Sequence, residues 1–265
     1  MKSGFRVFLA SFVALGLSWC GFVLGSVKQL GTEKQAAVLN SSDVYPLQRP
    51  GEAAMGLQVY RANGCAACHT EQVRQDGVTC DVVLTGAGND PAAVSNLIST
   101  LKLSGITKKQ ADAASDKITA AGGKSETHIK ATGVDIARGW GLRQSVAADY
   151  LWDDPVQLGS LRAGPDLSNI GVRSPDLNWQ LVHLYDPRAV VKNSTMPPFR
   201  FLFERRKSDG APSPDALQFP KGSGPPAGFE VVPKPEAREL AAYLLSLKSD
   251  VPLFAAPFTP ATTKP

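Results

Sequence analysis

The chain has 265 residues, 43% of them apolar, and a net charge of only +4. That is enough apolar mass for the packed core of one or two domains, and no Lys/Arg block stands out as the footprint of a nucleic-acid-binding protein, so that class is set aside. Twenty prolines, 13 of them from residue 197 on, together with 24 glycines argue for long ordered loops rather than a helix bundle.

Lys2 and Arg6 are followed by an uncharged run from Val7 to Ser26. At 1.5 Å per residue the run spans roughly 30 Å, the thickness of a bilayer core. A cleaved signal peptide has a shorter apolar region, and Trp19 occupies the position that a lipoprotein signal gives to a small residue. The expectation is a retained transmembrane anchor over 1–26. The positive N-terminus favours the cytoplasmic side, although Lys28 and Lys34 beyond the anchor weaken that reading. Residues 27–50 read as a polar linker that ends in Tyr-Pro-Leu-Gln-Arg-Pro-Gly.

The spacing predicts a helix over Glu52–Asn63, with Met55, Val59 and Ala62 on one face. Gly64 ends it just before Cys65-Ala66-Ala67-Cys68-His69. The four cysteines are Cys20, Cys65, Cys68 and Cys80. Cys20 falls in the apolar run, and the remaining three make a poor disulfide framework. On a helical start, residues three apart share a face. Two thiols at this spacing can therefore add to the two vinyl groups on one edge of a haem, with the next residue, His69, aimed at the iron. A zinc site built from Cys65, Cys68, His69 and Cys80 is disfavoured, because adjacent residues rarely both reach one tetrahedral ion. A thioredoxin-like pair needs a preceding strand, and a helix precedes these cysteines.

Residues 79–131 change character. A strand from Cys80, a helix capped by Asp90 and opened by Pro91, a second helix capped by Thr107 and closed by Gly122-Gly123, and a strand over Glu126–Thr132 give the order β-α-α-β. This segment reads as a small inserted module that resembles the C-terminal domain of the bacterial ribosomal stalk protein. Further on, Ser-Pro-Asp-Leu-Asn-Trp-Gln-Leu-Val-His-Leu-Tyr-Asp-Pro reads as a helix capped by Ser174, opened by Pro175 and stopped at Asp186-Pro187. Residues 204–235 read as Pro/Gly-rich loop. An amphipathic helix over 234–248 carries Leu240, Tyr243, Leu244 and Leu247 on one stripe, and residues 251–265 read as a flexible tail.

A haem asks for a sixth ligand or an open position. Met196 sits in Asn-Ser-Thr-Met-Pro-Pro-Phe, where two prolines stiffen the backbone into a form suited to presenting a thioether. His128 and His183 compete with it. The Gly164-Pro165-Asp166-Leu167 loop offers a rigid wall and a carbonyl to orient the proximal histidine. Arg162, Arg173 and Arg188 are candidates to meet haem propionates.

Taken in order, Gly56–Arg74, Leu158–Arg173, Trp179–Phe199 and Glu239–Lys248 behind one anchor resemble the monohaem cytochrome c subunit (subunit II) of cbb3-type haem–copper oxidases. The resemblance implies a mainly α protein: a class I cytochrome c domain over 51–250, interrupted by the module at 79–131, behind one transmembrane helix. It implies one covalently attached haem c on Cys65 and Cys68. His69 and Met196 would be the iron ligands and Pro165 would belong to the loop behind His69; of the three arginines read from the sequence, Arg173 is the expected cofactor contact. The segment matching Gly159-Ser160 approaches the catalytic subunit of such oxidases near its haems, where a calcium ion is bound. The implied function is a non-catalytic electron relay within a proton-translocating oxidoreductase. Its partners would be the haem–copper catalytic subunit and a further cytochrome c subunit or soluble cytochrome donor. The implied location is the bacterial inner membrane, with the haem domain in the periplasm. The alternatives are a tethered cytochrome serving another respiratory redox complex and an open-site haem acting on peroxide or a small gas. The stretch between His69 and Gly164 is longer than is usual in the family, by about the size of the module, and the segment after Met196 also differs.

Overall fold

The computed structural model describes residues 2–208 and 210–257. One continuous helical rod opens the chain: α1 (Lys2–Trp19), a π turn at Cys20–Leu24 and α2 (Gly25–Gly31). Ser3–Lys28 is long and apolar enough to cross a membrane, and it packs against no other part of the described residues. Outside the rod, helices and short strands mix.

The segment expected as a featureless linker is tied down. β1 (Ala36–Ala37) and β2 (Val44–Tyr45) form a small antiparallel pair. Val38 bridges Leu253, which is buried, as is Ala256. Beyond the pair, the Trp152 indole N–H donates to the Pro46 carbonyl at 3.0 Å, and Arg49 pairs with the buried Asp153. Residues 251–257 therefore close against the first segment after the rod, which corrects the expectation of a flexible tail from 251. The remainder of that expected tail, 258–265, lies outside the described residues.

The main core is a crossing of α3 (Gly51–Ala62) with the last helix of the chain. The buried face of α3 is Ala53, Gly56, Leu57 and Tyr60, whereas Met55 is half exposed. The expected Met55/Val59/Ala62 face is thus replaced by one whose small members allow close backbone approach. A Cβ on Gly56 would lie 1.9 Å from the Glu239 carbonyl oxygen and 2.8 Å from the Tyr243 Cβ. Next to this contact the Tyr60 and Tyr243 rings pack 5.2 Å apart, a tilted aromatic pair that adds to simple area burial.

β3 (Gly77–Gly86), α4 (Pro91–Thr100), α5 (Lys108–Ala120) and β4 (Lys124–Thr132) follow in the β-α-α-β order. Asp90 caps α4 through the Ala93 N–H, and Thr107 with Gln110 forms a capping box on α5. β3 and β4 pair antiparallel from Gly77↔Thr132 to Leu84↔Ser125, with a register irregularity before Gly86. The unit has its own core of Cys80, Val82, Ile106, Ala111, Ala114 and Ile118.

The chain returns through α6 (Val134–Ala137), α7 (Ile170–Arg173), α8 (Leu177–Tyr185) and α9 (Pro187–Val190). α8 is capped by Asp176, whose carboxylate accepts the Trp179 N–H at 2.5 Å, not by Ser174. Pro175 disfavours helical backbone at the residue before it, and the Asp side chain satisfies a free N–H of the first turn. β5 (Phe203–Lys207) and β6 (Phe229–Pro233) pair antiparallel within what reads from sequence as plain loop. The closing helix, α10 (Pro235–Ser246), buries Ala237, Leu240, Ala241, Tyr243 and Leu244.

Candidate functional site

Gly64, at φ 67°, turns the chain out of α3 into a single 3₁₀ turn over Cys65–Ala67. The turn is closed by bonds from the Cys68 and His69 N–H groups to the Cys65 carbonyl, at 3.1 and 3.0 Å. Cys65 is partly buried against the main core, Cys68 is exposed, and both are free thiols. Burial pushes the Cys65 thiol up to about 11.

The Gly164–Leu167 loop is locked to this turn. The Gly164 N–H donates to the Cys68 carbonyl at 2.9 Å, and the Leu167 N–H to the Thr70 carbonyl at 2.8 Å. His69 Nδ1 lies 2.8 Å from the Pro165 carbonyl oxygen. A backbone carbonyl at that distance calls for the N–H tautomer there, which leaves Nε2 with its lone pair free. Gly164 lies flat on the ring: a Cβ there would come within 2.2 Å of His69 Cε1. Burial holds His69 below its ordinary range, with Arg173 acting in the same sense against the Pro165 bond and Asp166. The ring is thus neutral, oriented and able to donate electrons from Nε2, as a metal ligand must be.

Asp166, fully buried, ties these pieces together. Its carboxylate accepts the Thr70 hydroxyl at 2.6 Å, the Gln72 N–H at 2.8 Å and the Ser168 N–H at 2.9 Å. Arg162 does not reach outward as a propionate partner would. It clasps both oxygens of Asp135 at 2.6 and 2.7 Å and donates to the Gln72 carbonyl. Arg188 is exposed on the surface. Ser160 donates its N–H to the Ala66 carbonyl at 3.2 Å, and a Cβ on the neighbouring Gly159 would lie 2.1 Å from the His69 carbonyl oxygen. Gly164 and Asp166 belong to the loop that the sequence singles out, and Gly159 to the Gly159-Ser160 segment, whereas the part played by Thr70 is not legible in the sequence. Only the Gly-Pro spacing signals the loop, because its acceptors act across a separation of more than 90 residues.

Met196 packs against the same core that Cys65 and Ala66 touch. Its loop is fixed at its end by the Phe199 N–H, which donates to the Leu184 carbonyl of α8 at 2.8 Å. His183, on α8, stacks on Trp179 with ring centres 4.9 Å apart and 6° between planes. His69 feels Arg173, and His183 feels His69, so the three share one electrostatic neighbourhood. Burial is the main cause that brings His183 down to about 4. His128, by contrast, is exposed on β4 beside Glu126. Cys80 is sealed in the core of the β-α-α-β unit, so it does not join Cys65, Cys68 and His69 in a four-ligand zinc site.

Two buried nitrogens in this neighbourhood, Arg173 Nε and His183 Nδ1, have no hydrogen-bond partner among the described residues. Arg173 donates instead through Nη2 to the Asp166 carbonyl at 2.5 Å. Leaving such a group unpaired costs about 1–3 kcal/mol, so a bound group with acceptor atoms fits here. Arg173 and Trp179 also line an open cleft of about 580 Å³ with Val190 and Phe219. A larger cavity of about 700 Å³, between residues 45–50 and the end of α10, contains none of the candidate ligands. Free thiols at the right spacing, an oriented neutral imidazole, a thioether on the shared core and unpaired buried donors together suit a haem.

That larger cavity is lined by Glu71, which is itself buried and accepts the Tyr243 hydroxyl at 2.9 and 3.0 Å. Burial pushes Glu71 up to about 8 from an ordinary 4.5. The folded chain thus holds this proton more tightly than the unfolded chain does. The associated stability is fully present below pH 4.5 and is lost as pH rises through about 8. Glu71→Gln is expected to flatten this dependence, with roughly 2–4 kcal/mol recovered near pH 9. Urea midpoints of the detergent-held chain at pH 5 and pH 9 check it, and equal slopes for both proteins would refute it.

No curated protein matches the chain. Residues 125–222, which carry the Gly164–Leu167 loop, α8 and Met196, match the family described as "Cytochrome C oxidase, mono-heme subunit/FixO", a family of haem c electron-transfer subunits that work within the oxidase complex, and the chain's resemblance to the monohaem subunit of cbb3-type oxidases holds.

Proposed function

We propose that this chain is a membrane-anchored c-type cytochrome that relays single electrons to the haem–copper catalytic subunit of an oxygen-reducing terminal oxidase. The observation that carries this reading is the placement of His69, with Nδ1 engaged by Pro165, Gly164 against the ring and Nε2 free, one residue after the second of two cysteines three apart. Cys65 and Cys68 would hold one haem c through thioether bonds. His69 and Met196 would bind its iron. Arg173 and His183, each with an unpaired buried nitrogen, would offer it polar contacts. The bound haem supplies a one-electron couple, raised in potential by thioether ligation relative to a second histidine. The protein wraps it, keeps water from the iron and orients the imidazole. On this reading the domain is a class I cytochrome c fold interrupted by the β-α-α-β unit. It stands on the periplasmic side of a bacterial inner membrane beside the catalytic subunit and a second cytochrome.

Haem staining of the denatured chain tests attachment. Stain is expected in the wild type and absent from a Cys65→Ala/Cys68→Ala variant; an unstained wild type would refute the reading. Met196→Ala is expected to keep the stain, lower the reduction potential and open the iron to carbon monoxide. Full carbon monoxide binding by the wild type would refute Met196 as a ligand.

A further inference from the structure

The chain's charge is concentrated in one place. Residues 187–207 carry six cationic side chains against one carboxylate, a local net of +5, whereas the whole chain nets only +4. The rest of the molecule is therefore close to neutral. Within this segment Arg206 is neutralised by Glu230 at 2.7 Å. Arg188 and Lys192 are exposed and have no carboxylate partner among the described residues. Arg200 is exposed, lies over the Tyr185 ring at 5.4 Å and reaches Asp186 only at 3.6 Å.

These three cations belong to one compact excursion that leaves α8 and returns to it. The Val191 N–H bonds the Pro187 carbonyl, the Ser194 N–H the Val191 carbonyl, and the Phe199 N–H the Leu184 carbonyl. Met196 sits within the excursion on the main core. Pro197 and Pro198 are exposed beside it. Phe201 is 61% exposed, and its ring lies 5.9 Å from that of Phe199, which packs on the same core as Met196. Exposed apolar residues and three exposed cations thus lie within one short stretch of chain on both sides of Met196.

We propose that this face, with Pro197, Pro198 and Phe201 at its centre and Arg188, Lys192 and Arg200 on its rim, is the docking surface for a one-electron donor protein whose own face is rich in carboxylates. The inference rests on the reading of Met196 as an iron ligand. Exposed cations on long flexible stems add little to a permanent contact. Their effect is to steer a diffusing partner and raise its encounter rate. A subunit held beside the chain in the membrane has no need of that steering, whereas a donor that comes and goes does. The donor gives up one electron across the contact and leaves oxidised; no atom is transferred.

The test uses the full chain in its native membranes, with the membranes' own donor as electron source. An Arg188→Glu/Lys192→Glu/Arg200→Glu variant is compared with the wild type. A milder variant carries Gln at the same three positions, and a control reverses the exposed Lys109, Lys117 and Lys124 of the β-α-α-β unit. Haem staining and reduction by an uncharged mediator are read first. Their absence in the wild type refutes the cytochrome reading and this proposal with it. With both intact, the charge reversal is expected to slow donor-driven haem reduction on the order of tenfold at low salt. The gap should narrow as salt is added, with the Gln variant intermediate and the control at the wild-type rate. An unchanged donor-driven rate in the triple reversal overturns the docking surface alone, as does an equal slowing in the control. A slowing that appears only in anionic-lipid membranes assigns the face to the bilayer and also overturns the proposal.

Discussion

Asp166→Ala is expected to destabilise the detergent-held chain by about 3–5 kcal/mol, the range for removing one partner from a buried charged network. Three donors converge on this carboxylate from two segments of the chain, and none has another acceptor among the described residues: the Thr70 hydroxyl, the Gln72 N–H and the Ser168 N–H. Alanine would leave them buried and unpaired, and would release Arg162 from a carboxylate 3.8 Å away. Asp166→Asn keeps an acceptor oxygen and is expected to cost roughly half as much. Because Pro165 precedes Asp166, the loss should also loosen the carbonyl that orients His69. Under the proposed ligation by His69 and Met196, earlier loss of the six-coordinate haem spectrum on mild heating would report this separately from global unfolding. A urea midpoint within about 1 kcal/mol of the wild type would show that the network is not what holds the loop.

Gly56→Val is expected to be at least as severe. The added carbon would lie 1.9 Å from a backbone oxygen of α10, and backbone cannot rotate out of the way as a side-chain tip can. The two helices would have to separate, which would pull the Tyr60 and Tyr243 rings out of contact. Overpacking usually costs about 1–3 kcal/mol where side chains can adjust. Here about 4 kcal/mol or failure to accumulate folded chain is expected, since total stabilities are only about 5–15 kcal/mol. Gly56→Ala should lie between Val and wild type despite its better helix propensity. Gly51→Ala, at the start of the same helix with nothing within 4 Å of the added carbon, is the matched control and should be neutral. Equal stability of the Gly51 and Gly56 alanine variants would refute the close crossing.

What could be read in the sequence was local. The Cys65–His69 spacing, the Asp90 and Thr107 caps and the stripe on α10 are short-range patterns, and each dictates structure within a few residues. The misreadings arose where distant chain decides. Gly56 and Ala53 are too small to register as a hydrophobic face, yet they are buried because α10 comes so near. The short pairing of Val38 with Leu253, and that of β5 with β6, depend on partners that no periodicity announces. At the candidate site the chemistry-bearing side chains stand out as Cys, His and Met, while the groups that hold them, Asp166, Thr70 and Gly164, look like ordinary turn residues.

The pairing of Gly77 with Thr132 has a consequence for how such a chain can grow. The Asp76 N–H also donates to the Thr132 carbonyl at 2.8 Å, so the two ends of the β-α-α-β unit stand side by side. A segment with touching ends can be lengthened, exchanged or cut down to a tight turn without altering the span that the flanking chain has to cover. Residues 69–76 and 133–166 would keep their places whatever is housed between them. That junction is a natural port for grafting a fluorescent or affinity domain onto the extramembrane part of the chain, with the Cys65–His69 turn and the Gly164–Leu167 loop left untouched.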